Sequence, residues 1–213
     1  MNVRTLLFLG LAALCASAAL PIQANAADAP AAASALDTRL ALRDLWLEHI
    51  FWIRDYAQAN QAGDSRQATV AGEQVVANAT AIANSIAPLY GQPAADQLLK
   101  LLAGHWGAVK HYSDASVAKD ANGRKAAVKD LQSNAGAIAH FLAGANPNLP
   151  ENGLLAMLGT HGAQHIAQID QLAAHDYAAE ARTWAAMRGH ILMLSDALAS
   201  ALVKQFPDKF AAR

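Results

Sequence analysis

The chain has 213 residues, 54% of them hydrophobic and 15% charged, with a formal net charge of −1. That length holds one domain of ordinary size with a substantial core. The near-neutral balance and the lack of a basic run exclude an electrostatic nucleic-acid surface or a basic membrane-surface helix, and one cysteine excludes a disulfide framework.

Arg4 precedes an apolar run from Leu6 to Leu20, followed by the small-x-small stretch Ala24-Asn25-Ala26. This pattern predicts a signal peptide at 1–26 and a periplasmic or secreted product. The run is too short for a membrane span, so none is expected after processing. Bulky Leu14 before Cys15 argues against lipoprotein processing. Loss of the leader removes Arg4 and the only cysteine, leaving a chain that must be stable through its core alone.

Residues 27–36 read as an Ala/Pro-rich tether, and 37–213 as one helical domain. The first helix is predicted over about 37–62, where Leu42, Leu45, Trp46, His49, Trp52, Ile53 and Tyr56 share one face. Gly63-Asp64-Ser65 breaks it, with Asp64 or Ser65 as the next N-cap. A second helix runs to about 87, with Val75, Asn78, Ile82 and Ile86 inward, and ends at Pro88, Gly91 and Pro93. A third, over about 94–117, carries Leu98, Leu102, His105, Val109 and Tyr112. Residues 120–123 form a turn, and a fourth helix to about 143 carries Leu131, Asn134, Ile138 and Leu142. After a Pro/Asn-rich link at 144–150, a fifth over about 151–174 carries Leu154, Met157, Leu158, His161, His165 and Gln168. The sixth carries Met187, His190, Met193 and Leu194, and stops before Pro207. No segment alternates with the period of two that strands require, so the fold class is all-α, a six-helix bundle.

Two polar series repeat at a gapless step of 56: His49, His105, His161 and Asn78, Asn134, His190. Tyr112 likewise takes the place of Tyr56. We therefore read three helical hairpins, about 37–92, 93–148 and 149–206. In an antiparallel hairpin, residues equidistant from the turn share a height. The midpoints of 49/78, 105/134 and 161/190 all fall on the predicted turns. All six polar residues should then form an inward belt halfway along an apolar bundle. Gly104, Gly107, Gly136, Gly159, Gly162 and Gly189 lie within two residues of that belt. Helix-interior glycine costs roughly 1 kcal/mol against alanine, so their clustering predicts a need for space.

Buried polar groups need partners. Neutral imidazole suits zinc, copper, iron or nickel, so the belt predicts a divalent transition-metal site with His49, His105, His161 and His190 as ligands. Asn78, Asn134, His165, Tyr56 and Tyr112 are the candidates behind them, orienting imidazoles or touching a bound ligand. His161-Gly-Ala-Gln-His165 is an i,i+4 pair able to chelate one ion, without the glutamate of a zinc-protease HExxH. The expected partner is a metal ion or small ligand. Two alternatives stand beside it: a purely structural bundle with a hydrogen-bonded polar core, and a metal-dependent hydrolase or lyase using three histidines. His111, His140 and His175 read as surface or turn residues.

The His161–His165 helix resembles the metal motif of the DinB-like bundles, which implies a three-histidine site. Three segments are similar to a family of uncharacterised bacterial helical proteins: Leu42-Arg-Asp-Leu-Trp-Leu-Glu-His49, Ala145-Asn-Pro-Asn148, and the ending from His190-Ile-Leu-Met-Leu-Ser-Asp196 to Phe210. That resemblance implies the same helical fold and names no activity. Some relatives carry an automatic acetylglutamate-kinase label, for which this chain offers no phosphate loop.

Overall fold

Alanine-rich segments without a period of two become helix throughout the computed structural model, which describes residues 34–210. Helix α1 spans Ala35–Ala62, α2 Ser65–Ser85, the single-turn α3 Ala87–Tyr90, α4 Gln92–Val117, α5 Ala121–Ala145, α6 Glu151–Ala173 and α7 Tyr177–Gln205. A 3-10 turn at Pro207–Lys209 follows. Among the described residues there is no strand. The fold is all-α with six long helices, as the sequence predicts. The expected leader at 1–26 and the tether up to residue 33 lie outside the described residues.

Helix α1 starts two residues before the apolar pattern predicts, because the last tether residues form a capping box. Ser34 Oγ accepts from the Asp37 amide at 3.1 Å, and the Ser34 amide donates to the Asp37 carboxylate at 3.2 Å. The expected break at 88–93 is a short one. Gly91 (φ 83°) turns the chain once, and Pro93 sits in the first turn of α4, where its missing N–H costs nothing.

The three tight turns share one geometry. Gly63, Lys119 and His175 adopt φ values of 75°, 55° and 56°. Their amides bond to the carbonyls of Asn60, Ser116 and Leu172 at 3.0–3.1 Å. The next amides, from Asp64, Asp120 and Asp176, reach back to Ala59, Ala115 and Gln171 at 2.8–2.9 Å. This is a Schellman motif whose last residue is also the N-cap of the following helix.

Helices α1, α4 and α6 all pack on one another and form an inner triangle. Each groove of that triangle holds one outer helix: α2 between α1 and α4, α5 between α4 and α6, and α7 between α6 and α1. Side chains tie the ring. Tyr56 donates to Asp114 at 2.7 Å, and Tyr112 to Asp170 at 3.0 Å. Arg43 grips Asp196 across α1 and α7. Glu180, 3% exposed, accepts both nitrogens of Arg54 and one from Gln168, joining α1, α6 and α7.

The core divides near mid-height. Toward the end bearing α3 and the 146–150 link (the link end), Leu42, Trp46, Ile82, Leu102, Leu158 and Leu194 belong to one cluster. Toward the three Asp-capped turns (the turn end), Ile53, Val75, Val109, Leu131 and Ile169 belong to another. Met193, which spacing places inward, is 57% exposed. Its neighbour Ile191 is fully buried instead.

Candidate metal centre

Each inner helix carries one histidine to the axis at mid-height. The ring centroids of His49, His105 and His161 are 5.6, 5.7 and 5.4 Å apart, close to an equilateral triangle. One helical turn nearer the turn end, His165 adds a fourth ring, 4.4 Å from His161, 5.6 Å from His105 and 6.2 Å from His49. One nitrogen from each of the four lies within 4.8 Å of every other, and no carboxylate or thiolate belongs to the group. All four residues are buried, at 1–7% exposure.

These residues fit a metal ion. Zn–N bonds of about 2.0–2.1 Å place neighbouring nitrogens of a tetrahedron roughly 3.4 Å apart. His161 Nε2 and His165 Nε2 already stand at 3.1 Å. Closing the remaining separations asks for side-chain shifts on the order of 1 Å. His49 Nδ1, His105 Nε2 and His161 Nδ1 are buried without a hydrogen-bond partner. Burial costs such atoms free energy unless something satisfies them. The four histidines can therefore hold a metal ion.

Electrostatics favour the ligating form. Loss of hydration lowers the pKa of His49 to about 3 and that of His105 to about 4, with His105 adding repulsion at His49. The same burial, reinforced by the neighbouring imidazoles, holds His161 and His165 well below the usual histidine value. At neutral pH all four rings are uncharged and offer lone pairs.

The expected six-residue belt divides in two. Asn78, Asn134 and His190 sit on the outer helices, and none of them belongs to the four-histidine group. Each instead donates to a backbone carbonyl of its own hairpin: Asn78 to Leu45, Asn134 to Leu101 and His190 to Met157, all at 2.9 Å and each across 33 residues. The accepting carbonyl lies four residues before the axial histidine, so these three bonds tie each outer helix to the histidine-bearing helix of its hairpin. His190, expected as a ligand, is committed to this bond, 6.4 Å from His161 ring to ring. His165, expected behind the site, is one of the four. Its sequence signal was the i,i+4 spacing from His161. The repeat understated it, because Ile53 and Val109 stand at the corresponding positions. Tyr56 and Tyr112 end on Asp114 and Asp170, toward the turn end, and neither hydroxyl bonds to a histidine.

The glycines do not open the axis as a group. A Cβ on Gly104 would meet the Asn134 amide at 2.9 Å, and one on Gly162 would meet Leu131 at 3.0 Å. At Gly107, Gly136, Gly159 and Gly189 it would meet nothing within 4 Å. Space at the site comes from elsewhere. An apolar cavity of about 60 Å³ fills the bundle on the link-end side, with His49, His105 and His161 among its lining and His165 outside it.

No protein-family model matches the chain, and neither a curated protein nor a solved structure was found to be similar.

Proposed function

We propose that the protein is exported, loses residues 1–26, and binds one transition-metal ion on the bundle axis through His49, His105, His161 and His165. A single observation carries this: four uncharged imidazoles converge within 4.8 Å while His49 Nδ1 and His105 Nε2 are buried with no partner among the described residues. Zinc, copper, iron and nickel are the ions that all-imidazole sites suit. The same proposal treats the domain as three copies of a 56-residue hairpin. Three Schellman turns and three 33-residue bonds to equivalent carbonyls support that ancestry. Each copy then supplies one axial ligand, and His165 is the addition that makes the third copy different.

A structural role for the cluster draws support from one contact, the 3.1 Å His161–His165 hydrogen bond. That bond leaves His49 Nδ1 and His105 Nε2 unanswered, which favours metal. Hydrolysis needs an activated water, whereas the open side of the cluster faces hydrocarbon, so a binding role fits better than a hydrolytic one.

The deciding experiment is elemental analysis and intact mass of untagged protein recovered from the exported fraction. One metal per chain and a mass beginning at Ala27 are expected. His105→Ala and His165→Ala should abolish the rise in Tm on adding metal, while His190→Ala should keep it. The Tm shift is compared, not the Tm, since a truncated core residue also opens a cavity. A stable, metal-free protein that ignores added zinc, copper, nickel and iron would leave the structural role standing.

A further inference from the structure

The cavity against the histidine triangle has a consistent chemistry. Its walls are almost wholly hydrocarbon, from Leu42, Leu102, Ile138, Leu158 and Leu194 among others. Tyr90 and Asn146, which also line it, hydrogen-bond to one another and on to Gln205. Asn146 donates to the Tyr90 hydroxyl at 3.0 Å, and that hydroxyl donates to Gln205 at 2.5 Å. Cavities of this kind stay dry and take up apolar molecules or xenon; one of about 150 Å³ accommodates benzene, so about 60 Å³ corresponds to two or three heavy atoms. Trp46 lines the cavity one helical turn from His49, is 7% exposed, and its indole N–H has no partner.

We propose that this cavity is the pocket of a diatomic gas ligand, which enters it from the link end and meets the ion at His49, His105, His161 and His165 at one atom and the Trp46 N–H at the other. The inference rests on the metal-site proposal for its inner contact. Three observations converge on it. His49, His105 and His161 line the cavity and His165 does not, so a fifth coordination position on the ion would face the apolar side. The cavity is too small for a drug-sized or fatty ligand. Trp46, one of its wall residues, buries an indole N–H without an acceptor, and a dry pocket keeps competing water from both ends of a weakly polar guest.

Two measurements separate this inference from its parent. Xenon-pressurised crystals of the metal-free protein test the pocket alone. One xenon atom beside Leu102, Leu158 and Leu194 is expected, and a xenon-free or water-filled cavity overturns the inference even if metal binds. Ferrous-loaded protein exposed to nitric oxide tests the inner contact by electron paramagnetic resonance. Iron at one per chain with the ferrous-nitrosyl signal supports it, and iron at one per chain without that signal overturns it. Failure to bind iron or any other transition metal overturns the parent and this inference together. Leu158→Phe, which fills the cavity, should abolish xenon and weaken nitric oxide at least tenfold with iron retained. Should that variant fold poorly, Trp46→Phe keeps the shape. It should retain xenon but release nitric oxide about three- to tenfold faster, the range expected for one lost hydrogen bond. Unchanged release from Trp46→Phe would remove the indole from the pocket and refute the outer contact.

Discussion

Acidification of the metal-free protein is the perturbation to which this core should be most sensitive. His49, His105, His161 and His165 are neutral when folded because burial removes the water their charge needs, while in the unfolded chain each titrates near 6.5. Their folded pKa values are depressed. The stability they confer is therefore fully present above about pH 6.5 and is lost as pH falls toward the folded values near 4 and 3. At pH 5 the unfolded state has taken up nearly one proton per histidine that the folded state has not. Each proton costs about 1.36 kcal/mol per pH unit, so His49 and His105 cost about 2 kcal/mol each, and His161 and His165, lowered by the same burial, add to that in the same direction. That is a large part of the whole stability of an ordinary domain. Urea unfolding followed by circular dichroism from pH 7 to pH 5 should show ΔG falling with a limiting slope near four protons. His49→Gln should reduce that slope by about a quarter. A loss below about 2 kcal/mol over this range would refute the reasoning, since it would mean that no more than one of the four rings is held neutral by the fold.

Two further outcomes test the frame around the site. Arg54→Ala strands the buried Glu180 carboxylate, held down in pKa chiefly by its hydrogen bonds from Arg54, and should cost about 3 kcal/mol in urea unfolding, with Glu180→Gln recovering part of the loss in the double variant. Lys119→Gly removes a side chain from a left-handed residue at the turn between α4 and α5 and should raise stability by about 1 kcal/mol, seen as a higher Tm; a lower Tm would show that φ 55° is not strained there.

Much of the bundle was legible because helical pattern and turn chemistry agree. Leu42, Trp46, His49, Ile53 and Tyr56 repeat with helical spacing, and all five are buried. The equal-height expectation placed His49, His105 and His161 together, and they meet at ring separations below 6 Å. What the pattern could not supply was the difference between inner and outer helices. Amphipathic spacing reports that a face is buried, not whether it reaches the axis or only its hairpin partner. Asn78 and His190 satisfy the same periodicity as the axial residues, yet their helices lie in grooves, where a backbone carbonyl is the nearest partner. His165 is harder to read for the opposite reason: symmetry highlights what recurs, and a cluster member present in one segment only is invisible to it. Ser34 was counted with the tether because a capping box is a hydrogen-bond pattern rather than a hydrophobic one.

The ring of helices also sets an order of events. Each hairpin closes on a tight turn, so its contacts are close in sequence and inexpensive in loop-closure entropy. The histidine cluster is different: His49, His105 and His161 come from three separate hairpins and meet only when α1, α4 and α6 have packed on one another. No partly assembled chain contains all four ligands in place. An ion that requires all four therefore recognises completed topology, and its capture belongs to the last step of folding rather than the first. An unfolded chain would carry scattered single histidines and not a preformed chelator.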